Sequence, residues 1–196
     1  MELSDHLVRF LVTERLESAR AEARRRALVP SAADHPVIRR ASPVDNAPIA
    51  AIWNHEVVGT IATTDTEPRA PAAQAAWLAA HGDEYPVVVA TVGDAVIAFG
   101  SLSPYRAKPS YRFTVEDSVY VKESHRGSGL GAHILGELLA HARGRGHHSV
   151  IARITSENAP SLALHRRRGF QRAGYERQVA FKLGRWLDVV TLQLLL

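Results

Sequence analysis

Apolar and polar positions along the chain follow two different periods. Four stretches carry apolar residues three and four positions apart, the spacing of one helix face, and they cover 43–59, 71–80, 130–142 and 159–168. Seven others are short apolar runs or alternate with polar residues as strands do, at 37–40, 86–91, 95–100, 111–122, 148–155, 171–183 and 186–194. The order predicts a mixed α and β domain over residues 36–196. A charged stretch at 4–28 predicts a separate N-terminal helix, with a proline-containing linker up to residue 35.

The strand predicted at 111–122 does not alternate cleanly. Val115, Val119 and Val121 share one face, and the same alternation puts Asp117 among them and Glu116 on the opposite face. One extra residue near Glu116 and Asp117, a β-bulge, would remove this conflict, and bulges often lie beside active sites. We therefore predict a bulge at this point.

A glycine-rich turn joins that strand to the helix predicted from Leu130. Gly127, Gly129 and Gly131 lie within five residues, and glycine lets the backbone approach a ligand closely. The N–H groups in the first turn of a helix have no intrahelical partner and attract anions, typically phosphate. The turn therefore predicts a site for the pyrophosphate of a cofactor.

Two kinds of phosphate site fit the turn. Gly127, Gly129 and Ala132 match the dinucleotide fingerprint G-x-G-x-x-G/A, and Glu157 lies about where a ribose-binding acid is expected. In dinucleotide folds, however, the first glycine follows its strand almost directly, within a repeating βαβ series. Here a polar spacer at 122–126 intervenes and a hairpin around 92–94 precedes the strand. Both features argue against a dinucleotide site and favour a phosphate site of another fold.

Composition excludes several kinds of chemistry. None of the 196 residues is Cys, so disulfides, cysteine nucleophiles and thiolate metal sites are excluded. His147 and His148 are adjacent on a predicted strand and point to opposite faces, so no metal site is expected. No apolar run reaches the roughly 18 residues of a membrane span, and the N-terminus does not resemble a signal peptide. We expect a cytoplasmic protein without a membrane partner.

Charge is unevenly distributed along the chain. Residues 1–35 contain six Arg and six acidic residues, so the whole net charge of +4 belongs to residues 36–196. A mildly basic domain suits an anionic small ligand. No regular basic and aromatic stripe marks a nucleic-acid surface, and we expect no nucleic-acid partner.

Arg126, Gly129 and Gly131 also fit the spacing R/Q-x-x-G-x-G/A. With this turn placed after an antiparallel meander, the chain resembles the GNAT superfamily of acetyl-CoA-dependent N-acetyltransferases over about residues 37–196. The resemblance implies an α+β (α/β) GNAT fold, a mixed central sheet with helices on both faces, in residues 36–196. Residues 1–35 would be an N-terminal helical extension and linker. The resemblance also implies acetyl-CoA as co-substrate and no metal.

Further motifs narrow the resemblance to the phosphinothricin N-acetyltransferase group. They lie at 53–56 (WNHE), 65–68 (DTEP), 111–121, 146–152 (GHHSVIA), 164–165 and 181–189 (FKLGRWLDV). This group acetylates the α-amino group of phosphinothricin or of related amino acids such as methionine sulfoximine. The family's cofactor contacts carry over to Val119, Tyr120, Val121, Arg126, Gly127, Ser128, Gly129, Leu130, Gly131, Asn158 and Ser161.

Acetyl transfer to an amine requires that the acceptor lose a proton and that the thioester carbonyl be polarised. The resemblance maps the group's catalytic glutamate onto Glu116 and its active-site histidine onto His165. From the residues alone, a strand Glu is more often solvated and a lone His more often structural. Backbone N–H groups near Val119 would polarise the carbonyl. The chain has no evident nucleophile constellation, so we expect direct attack by the amine in a ternary complex.

An acidic amino-acid substrate needs cationic and polar partners. The candidates are Lys108, Tyr111, Arg112 and Thr64, with Arg69 a weaker one. Lys108, Tyr105 and Thr64 stand where the group usually has arginine, tryptophan and a bulky aromatic residue. Two alternatives therefore stay open: an acetyltransferase for another amine, such as an antibiotic, a polyamine or a protein N-terminus, or a non-catalytic acyl-CoA-binding module. An edge strand near the C-terminus predicts a homodimer.

Overall fold

A computed structural model describes residues 35–196 of the chain. Seven strands form one sheet in the order β1-β2-β3-β4-β5-β7-β6. Their bounds are Val37–Arg40 (β1), Val87–Val92 (β2), Ala95–Pro104 (β3), Thr114–Val121 (β4), Ser149–Thr155 (β5), Gln171–Lys182 (β6) and Arg185–Leu195 (β7). The helix predicted at 4–28, and nearly all of the linker after it, lie outside the described residues.

Four α-helices lie in the described part of the chain. They are Asn46–Gly59 (α1), Pro71–Ala79 (α2), Leu130–Gly144 (α3) and Ala159–Arg167 (α4). A 3₁₀ turn, Pro43–Asp45, precedes α1, so the first three residues of the helix predicted at 43–59 belong to this turn and not to the α-helix. None of these helices is long and apolar enough to cross a membrane.

Helices cover both faces of the sheet, as predicted. On one face, α1 buries Ile49, Ile52 and Val57 against strand residues such as Val89 and Phe99. On the other face, α3 packs Ile134, Leu135 and Leu138, all fully buried, against β2, β3 and β4. Gly100 of β3 lets α3 approach closely, because a Cβ there would lie 2.5 Å from Cγ2 of Ile134. Each face of the sheet therefore has its own apolar core.

The predicted bulge in β4 is wrong. The register of β4 on β3 runs without interruption from Val115 opposite Pro104 to Val121 opposite Ala98. Register shifts occur instead in β2, between Ala90 and Thr91, and in β6. Asp117 does point into the apolar face with Val115. It needs no bulge because a buried histidine from α4 pairs with it, as described below.

The central feature of the sheet is a split between two parallel strands. β4 pairs with β5 over only three positions, from Thr114 opposite Ser149 to Glu116 opposite Ile151. Beyond Glu116, β4 stays on β3 up to Val121, whereas β5 continues to Thr155 paired with β7. The strands diverge at their carboxyl ends, where open α/β sheets bind ligands.

Candidate active site

The glycine turn lies at the mouth of this split. Gly127 and Gly129 adopt φ values of +78° and +84°, and Gly129 is the N-cap of α3. A Cβ at either glycine would meet nothing within 4 Å, so the backbone conformation is what requires glycine here. Leu130 is buried, and only its backbone faces the turn. The N–H groups of Leu130 and Gly131 lack helical acceptors, so they can bind a phosphate.

The edge of β4 beside the turn is also open. No described strand pairs with residues 117–121 on the β5 side, so N–H and C=O groups of this segment are free to bond an extended ligand as a strand would. Val119 and Val121 are half-buried in this edge. An amide-containing chain linked to a pyrophosphate fits both parts of the site, and that is the composition of the predicted co-substrate.

The backbone of Tyr120 lies on the open edge of β4, but its side chain packs in the core. Its ring stacks with Phe99 and meets Trp53 edge-on, each at 5.1 Å between centroids. Burial raises the pKa of the Tyr120 hydroxyl, against the opposing hydrogen-bonding effect of Thr63. A phenol with so high a pKa stays protonated at neutral pH, and the side chain belongs to the α1 side of the core.

Arg126 is held by a residue that its local sequence does not reveal. Glu56 of α1 is 2% exposed and forms an ion pair with the Arg126 guanidinium, whose Nε also donates to the carbonyl of Val121 at 3.2 Å. The other carboxylate oxygen of Glu56 accepts from the Thr60 hydroxyl at 2.7 Å. Glu56 therefore anchors the spacer before the glycine turn to the start of the α1–α2 loop.

A buried lysine ties the same loop to the C-terminal hairpin. Nζ of Lys182, which is 3% exposed as a residue, donates to the carbonyls of Thr63 at 2.7 Å and Glu56 at 3.2 Å. Burial lowers the pKa of Lys182, against the opposing charges of Asp65 and Glu56. The exposed Thr64, a predicted substrate contact, directly follows this anchored carbonyl.

Glu116 lies at the point of the split, on the face of α1. Its side chain is half-buried and forms no hydrogen bond or ion pair with another described residue. Burial raises the pKa of the Glu116 carboxyl, the charge of Arg153 lowers it, and the charge of Asp117 raises it again. A carboxylate with a raised pKa and free oxygens is equipped to accept a proton.

His165 and Asp117 form a buried pair on the opposite face. His165 Nε2 lies 2.9 Å from Oδ2 of Asp117, and Nδ1 lies 2.8 Å from the carbonyl of Ser161. Both neighbours are acceptors, so both ring nitrogens donate. Burial lowers the pKa of His165, but the hydrogen bond to Asp117 and its charge outweigh this, and the pKa is raised overall. The pair fixes α4 to β4 one residue beyond Glu116.

Other predicted contacts are scattered around these groups. Asn158, a predicted cofactor contact, caps α4, with Oδ1 accepting from the N–H of Ser161 at 3.2 Å. Arg112 is exposed, stacks over Phe113 at 4.3 Å and donates to the carbonyl of Pro109. Lys108 is exposed. Tyr111 lines a cavity of about 480 Å³, which Thr114 and Ile151 border on the face of Glu116.

Two further cations lie near the site: Arg69, which the sequence indicated only as a weaker substrate contact, and Arg153, which it did not indicate. The Arg69 guanidinium lies between the rings of Trp53 and Trp77, at 4.1 and 4.3 Å from their centroids. Arg153 is the exposed member of an otherwise buried β5. A charged residue in a strand of apolar residues was the signal available for Arg153. Glu56 belongs to the motif at 53–56, but nothing local indicates that its partner is Arg126.

Together, the glycine turn, the split sheet and the adjacent carboxylate define a site for an elongated, phosphate-bearing co-substrate. In the described residues, no group of three His, Cys, Asp or Glu side chains is placed to hold a metal ion. The acetyltransferase (GNAT) family pattern matches residues 51–170 of the chain.

The names of similar proteins agree with this match. An L-methionine sulfoximine/L-methionine sulfone acetyltransferase of Pseudomonas paraeruginosa is 41% identical over 159 residues, covering 80% of this chain and 92% of the relative. A phosphinothricin N-acetyltransferase of Streptomyces coelicolor is 36% identical, covering 74% of this chain and 87% of the relative. A Salmonella typhimurium acetyltransferase solved with its cofactor acetyl-CoA superposes with a TM-score of 0.80 at 38% identity, covering 82% of this chain and 94% of that one.

The chain belongs to the GNAT acetyltransferase family. It is an acetyl-CoA-dependent N-acetyltransferase, and the predicted family and fold are confirmed.

Proposed function

We propose that the enzyme transfers the acetyl group of acetyl-CoA to the α-amino group of a small amino acid of the phosphinothricin or methionine sulfoximine type. The relatives named for these substrates support this class. The observation that carries the chemistry is the half-buried, unpartnered Glu116 at the point where β4 and β5 separate. Its position beside the open edge of β4 brings a base close to the expected thioester.

In this mechanism the residues of the chain have separate tasks. Acetyl-CoA would supply an activated acetyl group: the new amide C–N bond replaces the thioester C–S bond, and CoA leaves as the thiol, which balances the second proton lost by the nitrogen. Glu116 accepts the proton that the substrate ammonium group must lose before its nitrogen can attack. Backbone N–H groups near Val119 polarise the carbonyl. His165, with both ring nitrogens engaged in a buried site, acts as a positioning residue that holds β4 through Asp117.

The absence of cysteine and the enclosure of His165 support direct attack by the amine in a ternary complex. The chain has no Cys, and His165 is enclosed by its two acceptors. Rapid quenching after mixing with acetyl-CoA alone should give unmodified protein by mass spectrometry. An acetylated enzyme that transfers its acetyl group to added amine would contradict this mechanism.

The substrate class is tested by release of CoA thiol. Because the chain has no Cys, a thiol reagent reports only the released CoA. The panel contains phosphinothricin, methionine sulfoximine, a polyamine, an aminoglycoside and a peptide with a free N-terminus. The proposal expects the highest kcat/KM with the two amino acids, and a higher value with any other amine would refute it. The other amines are included because Lys108 and Thr64, both exposed, differ from the residues usual in the phosphinothricin group.

We also propose that the enzyme forms a homodimer through the β6–β7 hairpin. Val179, Phe181, Leu183 and Trp186 of this hairpin are between 47% and 58% exposed, and an apolar cluster of this kind is typical of an interface. Light scattering after size exclusion should give twice the chain mass, and Trp186→Arg should give a monomer. A monomeric wild-type protein at micromolar concentration would contradict the proposal.

A further inference from the structure

One residue of β5 breaks its apolar pattern. Six of the seven residues in Ser149–Thr155 are buried, and the exception is Arg153, whose side chain is 42% exposed. Ile151 is the register partner of Glu116 in the parallel pair. Because side chains alternate along a strand, Arg153 lies on the same face as Ile151 and therefore on the same face as Glu116.

Arg153 also lies within the electrostatic range of Glu116. It is two residues beyond Ile151, a separation of about 7 Å along a strand, and it follows the point where β4 and β5 separate. Its positive charge opposes the effect of burial on the Glu116 carboxyl. The cation and the carboxylate therefore share one region of the cleft.

The guanidinium retains capacity to bind an anion. One N–H of Arg153 donates to Oε2 of Glu176 at 2.9 Å, the single hydrogen bond it makes to the described residues. An arginine has five N–H donors in a planar fork that matches a carboxylate bidentately. A cavity of about 480 Å³ is lined by Tyr111, Ile151 and Glu176 among others, and not by Arg153 itself. Because Glu176, the ion-pair partner of Arg153, lines it, the guanidinium lies at the border of this space.

The other cations near the cleft are less well placed. Arg112 stacks on Phe113 in an exposed turn, and Lys108 is exposed in the same loop. Arg69 is enclosed by Trp53 and Trp77. Arg153, in contrast, projects from a central strand, and residues on regular elements are positioned more precisely than residues on loops.

An α-amino acid has the dimensions that this arrangement requires. Its amino nitrogen and carboxylate are separated by one carbon atom, and a hydrogen bond of about 2.9 Å at each end puts the base and the cation up to about 9 Å apart. We propose that Arg153 binds the α-carboxylate of the substrate and thereby makes the enzyme prefer amino acids over amines without a carboxylate. This inference rests on the proposed acetylation of an α-amino group.

The test compares methionine sulfoximine with the matching amine that lacks the carboxylate, in wild-type enzyme and Arg153→Ala. Loss of charge-assisted hydrogen bonds should raise KM for the amino acid about 10- to 100-fold, with KM for acetyl-CoA and for the simple amine unchanged. Arg153→Lys should recover part of the loss. Glu176→Gln, which removes the competing carboxylate, should lower KM for the amino acid.

Arg143→Ala is the matched control, because it removes the same charge from an exposed position at the end of α3. It should leave all three KM values unchanged. Equal effects of Arg153→Ala on the amino acid and the simple amine, or no effect on either, would overturn this inference while the proposed function stands. Wild-type enzyme that acetylates the simple amine but no amino acid would overturn both.

Discussion

The buried pair between Asp117 and His165 should make a large contribution to stability. Both residues are at most 5% exposed, and Nε2 lies 2.9 Å from Oδ2. Removing one partner of a buried ion pair leaves an uncompensated charge, which costs about 3–5 kcal/mol. For a chain of this size that loss lowers Tm by about 6–20 °C. Asp117→Asn preserves a hydrogen-bond acceptor and should cost less than Asp117→Ala.

The same pair predicts how stability changes with pH. His165 has a folded-state pKa above its value of 6.5 in the unfolded chain. A raised pKa contributes stability that is fully present below the unfolded pKa and is lost as pH rises through the folded pKa. The wild-type free energy of unfolding should therefore fall as pH rises above about 6.5, and Asp117→Ala should reduce this dependence.

Urea denaturation followed by circular dichroism at several pH values measures both effects. Glu176→Gln serves as the control, since it breaks the Arg153 pair at 42% and 45% side-chain exposure, and such exposed pairs contribute about 0–1 kcal/mol. If Asp117→Ala were no less stable than Glu176→Gln, or kept the full pH dependence, the role assigned to the buried pair would be wrong.

Two further variants test the cofactor end of the site. Glu56→Gln and Arg126→Ala should each raise KM for acetyl-CoA about tenfold. The double variant should have no higher KM than either single variant, as expected for coupled residues. Additive effects in steady-state kinetics would contradict the coupling. Gly129→Ala forces alanine to a φ of +84°, at a cost of about 1–2 kcal/mol, and should weaken acetyl-CoA binding in calorimetry. Gly93→Ala, at +54° in the β2–β3 turn, is its control, and an equal loss of affinity there would refute the assignment.

Local patterns predicted most of the fold. Each of the seven predicted strands and the four helices of residues 36–196 is present, since period and glycine or proline signals are properties of neighbouring residues. The boundary errors have local causes: Pro109–Tyr111 forms a 3₁₀ turn, so β4 begins at Thr114 and not at residue 111.

The errors and omissions at the site involve partners that are distant in sequence. Asp117 looked misplaced because His165, which satisfies it, is 48 residues away. Glu56 and Arg126 are 70 residues apart, and Lys182 reaches Thr63 across 119 residues. Side-chain alternation could have assigned Arg153 to the face of Glu116, but only once the register of β4 on β5 was known.

The most direct test of the account is turnover by Glu116→Gln. With both substrates saturating, kcat for methionine sulfoximine should fall about 10²- to 10⁴-fold, the usual contribution of a general base, while the Kd for acetyl-CoA measured by calorimetry stays at the wild-type value. Because burial raises the Glu116 pKa above 4.5, wild-type kcat should fall as acid protonates this carboxylate, and the variant should lack that limb. Unchanged kcat in Glu116→Gln, with the acid limb retained, would contradict the central claim that Glu116 deprotonates the acceptor amine.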